Sequence, residues 1–402
     1  LLLQGSKFCL ATTVCFSALW SACVQAQEGP TVEIRTGALV ASNPFLVGGD
    51  DAEGIALTME VLPQIRWEDE TSTVVLDGQV RIEEWLERYD TDLSGKAALS
   101  ASKNVSQTLE LFGDAMYETR KRASPDLLVN LPPDGEIAPP TGTDFELDPT
   151  LIDQTVRRQS ASASFGAAKQ LSSTQSLRGQ VATGANWFDQ RGLDYRTTSL
   201  DLSYNQDLSP RVSLVLGANG SLSDFLDQAR GDGVFATAEA GFEFETSPTG
   251  TLAARAGLSI VRVDTGFGET DNGEYAVADV EFCEELFQGK MCASGSRESR
   301  PTTIGGASTV TAANFSWNKQ YDRGENLTLN LRYSDTKASL AAFDLADVQR
   351  TKFLGASAYY ARPISDTVGV YVSPSAVKLF DDPFDRGSNY QIMFGLTLNF
   401  GR

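Results

Sequence analysis

The sequence predicts an all-β protein: a closed antiparallel transmembrane β-barrel of about sixteen strands, with short periplasmic turns and long external loops. Three observations predict it. Near the carboxy terminus Tyr390, Ile392, Phe394, Leu396, Leu398 and Phe400 alternate with Gln391, Met393, Gly395, Thr397 and Asn399, a period-two pattern with one apolar, aromatic-ended face. The same alternation recurs along most of the chain, with Arg, Asp and Glu on the polar faces. A dry core would not accept such rows of ionised side chains, whereas a wet lumen does. The connections also alternate between short and long.

Taken in order, residues 1–26 read as a secretory signal peptide. Lys7 supplies a positive start, Phe8 to Trp20 an apolar run, and Val24-Gln25-Ala26 a small-residue cleavage site. That run is too short to cross a bilayer as a helix, and no other stretch reaches about 18 apolar residues. Residues 27–402 form the expected barrel, placed in the outer membrane of a Gram-negative bacterium after export through the secretory pathway. Gly54 to Glu68 is a strand with Ile55, Leu57, Met59, Val61, Ile65 and Trp67 on one face and Thr58, Glu60, Gln64 and Arg66 on the other. A turn at Asp69-Glu70 leads into a second strand, with Val74, Leu76, Val80 and Ile82 outward. Further alternations fall at 109–118, 200–204, 212–222, 239–245 and 327–334. Short turns are expected near Asp69, Asn104, Ser172, Pro210, Pro248, Arg323 and Ser365. Longer connections are expected at 43–51, 124–153, 266–300, 337–345 and 381–387.

The formal charge of −20 argues against nucleic acid as a partner. The absence of histidine excludes His-dependent triads and the usual zinc sites. No phosphate-binding glycine loop or nucleophile elbow is present, so no cofactor and no enzymatic activity are expected. Outside the leader the cysteines are Cys283 and Cys292. Oxidising surroundings make a disulfide between them the expectation, with two unpaired thiols as the alternative.

Ser42-Asn43-Pro44-Phe45-Leu46, then Val61-Leu62-Pro63-Gln64-Ile65, then Glu87-Arg88-Tyr89-Asp90 follow one another at strand-pair spacing. In this the chain resembles the beta-barrel porin 2 family of proteobacteria, over roughly its first hundred mature residues. The resemblance implies an outer-membrane barrel, in some members linked to exopolysaccharide export, and it carries over no catalytic residues. One departure is that Gly401 and Arg402 follow Phe400, where many barrels finish on the aromatic.

Two segments are candidates for function. The third external loop holds Asp126, Asp134, Glu136, Asp144, Glu146 and Asp148 among six prolines, and could fold inward as a pore constriction. Its basic counterparts in the lumen would be Arg66, Arg81, Arg178, Arg211, Arg255 and Arg332; the alternative is a solvated surface loop. The segment 266–300, with the cysteine pair and Glu269, Asp271, Glu274, Asp279, Glu281, Glu284 and Glu285, is expected to be a solvated, disulfide-pinned loop. Its spacing fits no EF-hand, so a Ca²⁺ site is a weaker alternative. The expected function is porin-like passive diffusion of small hydrophilic solutes. The alternatives are an accessory barrel for exopolysaccharide export and a structural or adhesive barrel with a plugged lumen. Expected partners are outer-membrane lipids and lipopolysaccharide, the barrel-assembly machinery, and small hydrophilic solutes or polysaccharide, with a homotrimer by analogy to porins.

Overall fold

The computed structural model describes residues 30–46, 53–121, 156–189, 194–226, 232–264, 270–301, 306–341, 350–380 and 387–401, except for the side chains of 338–341. The expected signal peptide and the constriction acids Asp126, Asp134, Glu136, Asp144, Glu146 and Asp148 lie outside them. The described residues form eighteen strands: β1 (Thr31–Ala41), β2 (Gly54–Glu68), β3 (Ser72–Trp85), β4 (Asp92–Ser106), β5 (Leu109–Arg120), β6 (Arg158–Ser172), β7 (Gln175–Phe188), β8 (Tyr195–Ser209), β9 (Val212–Phe225), β10 (Gly233–Ser247), β11 (Gly250–Asp264), β12 (Thr270–Leu286), β13 (Gly289–Pro301), β14 (Gly306–Gln320), β15 (Asn326–Ala341), β16 (Arg350–Pro363), β17 (Val368–Phe380) and β18 (Asn389–Phe400). Each pairs antiparallel with its neighbours in sequence. β1 also pairs with β18, from Val32 opposite Phe400 to Ala41 opposite Gln391, which closes the ring.

One end of the ring carries connections of two to five residues, together with the outer ends of β1 and β18; we call it the turn end. The other, the loop end, carries the remaining connections, including 42–53, 86–91 and 121–157. Strand register decides which side chains face out. On β2, Ile55, Leu57 and Met59 are exposed while Ala56, Thr58 and Glu60 are buried. On β11, Leu258 and Ile260 are 65% and 58% exposed, whereas Ser259 and Val261 are covered. Large apolar side chains therefore coat the outside of the wall, and charged ones line the inside, the reverse of a water-soluble sheet. Outward aromatics sit toward both ends: Trp67 and Phe244 near the turns, Tyr117, Trp187 and Tyr390 near the loops.

The strand count corrects the expectation of sixteen, and the two extra strands are β12 and β13. They occupy the segment read as a loop, joined by a turn at Phe287-Gln288. Two features hid this hairpin. The outward row of β13 is Met291, Ala293, Gly295, Arg297 and Ser299, which lacks an apolar stripe. Its turn lacks the usual Asn-Gly or Asp-Gly pair, yet both Phe287 and Gln288 adopt positive φ, 55° and 62°. For side chains of this bulk the left-handed region is unfavourable. Four residues from each side of the turn, Cys283 and Cys292 face each other in register and are joined by a disulfide, with Cα atoms 4.1 Å apart. That crosslink holds together a hairpin whose turn residues oppose it.

The β2–β3 turn is built differently. The Asp69 carboxylate accepts hydrogen bonds from the backbone N–H groups of Thr71 (2.8 Å) and Ser72 (2.7 Å) and from the Ser72 hydroxyl (2.6 Å). These hydrogen bonds, the Ser72 hydroxyl first, hold its pKa down at about 2. At the β1–β18 seam Gly37 lies opposite Gly395. A Cβ on Gly395 would sit 2.0 Å from the Thr36 carbonyl oxygen, so the backbones approach at a spacing that only glycine permits.

Two outcomes follow. Replacing Phe287 by Asn and Gln288 by Gly should stabilise the folded barrel by about 1–2 kcal/mol in urea titrations; a loss would contradict the strain at this turn. Gly395→Ala should leave most strands intact yet reduce the fraction of compact, heat-modifiable barrel on gels, whereas unchanged mobility would show that the seam tolerates a side chain.

Candidate functional site: the barrel interior

The interior changes character along its axis. Toward the turn end the inward side chains stand in solvent: Gln64, Arg66 and Glu68 on β2, Glu243 and Glu245 on β10, Glu281 and Glu285 on β12. Toward the loop end the inward positions become buried on most strands. Examples are Arg81, Glu83 and Trp85 on β3, Asn186 and Phe188 on β7, and Ser259, Val261 and Val263 on β11. Along β15–β18 the covered zone reaches further toward the turns, to Thr328 and Thr397.

Three groups of side chains fill the loop half. In the first, residues 43–46 turn inward after β1. The Asn43 N–H donates to Asn389 Oδ1 at 3.1 Å, and Leu46, at φ 50°, packs against Phe353 and Val377. Phe45 reaches the rings of Trp85 and Tyr89, with centroids at 5.8 and 4.5 Å. Burial raises the Tyr89 phenol above its ordinary pKa. The second group joins Phe188, Tyr195 and Phe225 with Val156. The third joins Phe235, Val261, Val263 and Ala307 with Tyr275.

Beneath the first group lies a charged network. Arg35 Nε meets Glu33 Oε1 at 2.6 Å, and Arg35 Nη1 meets Glu60 Oε2 at 3.4 Å. Gln79 Nε2 donates to the other Glu60 oxygen at 2.5 Å. The Arg35 guanidinium carbon is 5.9 Å from the centre of the Tyr359 ring, which stacks on Tyr371 at 6.0 Å. Arg81 pairs with Glu83 at 2.6 Å, both almost fully buried, and reaches the Met393 sulfur at 3.9 Å. Buried ion pairs of this kind fix side-chain position more than they add stability, because desolvation offsets the attraction. Neither Arg35 nor the aromatic group stood out in the sequence. The Glu33-x-Arg35 spacing on a strand facing Glu60 was the available signal.

Of the expected lumen arginines, Arg66, Arg81, Arg178, Arg255 and Arg332 lie on inward rows. Arg66 pairs with Glu68 at 3.0 Å, and Arg255 with Glu239 at 3.6 Å. The Arg178 guanidinium sits 3.8 Å above the centre of the Phe112 ring. Arg211 does not belong with them, since it occupies the β8–β9 turn at the rim. The acids of 271–285 cannot converge on one cation. Asp271, Asp279, Glu281 and Glu285 face inward from β12, while Glu274 and Glu284 face outward. Among the described residues one group has metal-binding side chains close together, Glu281 with Cys283 and Cys292, but the disulfide removes both thiolates.

The ring of strands, its apolar outer wall and its charged interior define a membrane-spanning β-barrel of the outer-membrane type. No family model and no curated protein matches the chain. Among solved structures it is similar to the FrpB iron transporter of Neisseria meningitidis (9% identity, TM-score 0.46, 88% of this chain and 63% of that one). It is also similar to OpdL of Pseudomonas aeruginosa (8%, 0.44, 94% and 99%) and to OccAB3 of Acinetobacter baumannii (10%, 0.44, 94% and 100%). The chain thus spans less than two thirds of the FrpB length. At these scores the likenesses carry no argument, and the assignment rests on the barrel's own geometry.

Arg81→Met should destabilise the folded barrel by about 3 kcal/mol or more, because Glu83 keeps a buried charge without its guanidinium partner. Adding Glu83→Met should restore most of that loss in urea titrations. Additive losses would show that the two side chains do not act as a pair.

Proposed function

We propose that this protein is an outer-membrane channel that admits small hydrophilic solutes by passive diffusion, with a wide periplasmic vestibule and a constricted outer mouth. The observation that carries this reading is the row of solvent-exposed, ionised side chains on the inner wall of the turn half, Arg66, Glu68, Glu243, Glu245 and Glu281. Such a row needs water beside it. A ring of eighteen strands is also wider than inward side chains alone can fill. The turn end faces the periplasm and the loop end the exterior, as in bacterial barrels generally. Mixed charge along the wall, with arginines paired to carboxylates, suits uncharged or zwitterionic solutes over strongly charged ones.

A second reading has its own support. Phe45, Trp85, Tyr89, Tyr359 and Tyr371 form one aromatic cluster on the β1–β3 and β16–β17 side of the outer half of the interior, and aromatic faces of this kind bind the C–H faces of sugars. That favours passage of a saccharide, including an exported polysaccharide.

Planar-bilayer conductance of the refolded protein tests both. Stable steps are expected, larger in Phe45→Ala because the cluster at the mouth is opened. Block by maltose-type oligosaccharides would select the saccharide reading. Silence in both the native protein and the Phe45→Ala variant, with the barrel still heat-modifiable, would overturn passage and leave a structural role.

A further inference from the structure

On the turn half of the inner wall an arginine is held in place without a carboxylate. Arg66 pairs with Glu68 and Arg255 with Glu239. Among the described residues Arg178 on β7 makes no ion pair, and none of its N–H groups donates to a protein acceptor. What positions it is the Phe112 ring, whose centre is 3.8 Å from the guanidinium carbon. That ring lies across Gly166 on β6, the strand between, where a Cβ would overlap it. Glycine there makes room for the ring, and the ring carries the guanidinium. A guanidinium stacked by its face keeps its N–H donors, which lie in its own plane, free at the edge. Arg178 is exposed, so those donors stand in water at a fixed place.

Strand register supplies a counterpart. Ala168 on β6 lies opposite Arg178 on one side and opposite Glu110 on the other. The arginine and the glutamate thus flank one small residue, with Cα positions about 10 Å apart across two strand spacings. Glu110 is half-buried on β5 and, among the described residues, makes no hydrogen bond or ion pair. Other inward acids nearby are engaged: Asp114 accepts from Ser164, and Asp201 accepts from Asn219 and from Ser199. Arg178 is drawn to Phe112, one inward row from Glu110 toward the loops, so the two charges stay apart across Ala168. The turns beside this patch, 107–108 and 173–174, carry no charge.

A fixed guanidinium edge and an unclaimed carboxylate, separated by one small side chain, match a molecule that bears both charges. Its carboxylate accepts two parallel N–H bonds from the guanidinium edge, and its ammonium donates to Glu110. A simple anion gains the first contact alone and meets Glu68, Glu243, Glu245 and Glu281 exposed on the same half of the wall. A simple cation gains the second contact alone. We propose that this patch is a binding site for small zwitterions of the amino-acid class, with Arg178 holding the carboxylate, Glu110 holding the ammonium, and Phe112 positioning Arg178. Its use in selecting solutes rests on the passage proposed above, whereas binding itself needs only water in the turn half.

The test reads binding directly, by saturation-transfer NMR titrations on the full protein folded in detergent micelles, with glycine, acetate and methylammonium as probes. Glycine is expected to bind in the millimolar range, at least about tenfold more tightly than either singly charged probe. Arg178→Gln and Glu110→Gln should each weaken glycine binding about tenfold, and Glu110→Gln should leave acetate binding no weaker. Phe112→Leu keeps both charges and should weaken glycine and acetate but not methylammonium, a pattern that a general loosening of the barrel would not give. If a variant does not fold, the comparison of the three probes on the native protein still decides. Equal binding of glycine and acetate overturns the site, as does undetectable glycine binding or unchanged affinity in both folded charge variants. Passage is read separately by bilayer conductance. A silent protein that binds glycine in this way removes the channel and keeps the site, whereas a conducting protein that does not bind glycine keeps the channel and removes the site.

Discussion

The structure depends first on closure. In hydrocarbon an unpaired backbone N–H or carbonyl has no water to turn to, and each one costs several kcal/mol. A sheet can cross a membrane only if it has no edges. The pairing of β1 with β18 removes the last two, joining Val32 to Phe400 and Ala41 to Gln391 across almost the whole chain. Everything else follows from that ring. The outside must be apolar because it faces lipid, the inside can carry charge because water reaches it, and the glycines at the seam let the two backbones meet closely enough.

Much of this was legible in the sequence because strand alternation is local. Gly54–Glu68 was readable as a strand with its faces assigned, and so were the outward rows of β3, β5, β10, β15 and β18. The hairpin of β12 and β13 was not. Its outward row holds small and charged residues, Phe287-Gln288 carries no turn signature, and a cysteine pair amid acidic residues resembles a pinned loop. The structure shows the reverse relation: the disulfide secures a strand pair that the turn chemistry would not.

The interior was legible only in part. Alternation says that Arg66, Arg81, Arg178, Arg255 and Arg332 point inward. It does not say how far across the lumen a side chain meets another. That distance separates Arg66, standing in solvent, from Arg81, buried against Glu83 and Met393. The Asn43-Pro44-Phe45-Leu46 run was visible as a motif, but its inward fold depends on rings that come from β3, from 86–91 and from β16 and β17, far apart in sequence. Arg211 shows the opposite failure, since a charge one residue beyond a strand end looks inward by parity and in fact sits exposed in a turn at the rim.

The division of the interior into a wet half and a packed half has an electrical consequence. A potential difference across a barrel does not fall evenly along its axis; it falls mainly where the medium is least polarisable. Here that is the loop half, so the field is steepest across Arg35, Glu60, Arg81 and Glu83, the charges held there as pairs. Opposite charges in a steep field are pulled in opposite directions, and a network of balanced pairs resists displacement better than a row of one sign. The charged, solvent-exposed turn half acts by contrast as a near-equipotential extension of the solution at its end. The asymmetry of packing along the axis therefore makes the two ends of the interior electrically inequivalent.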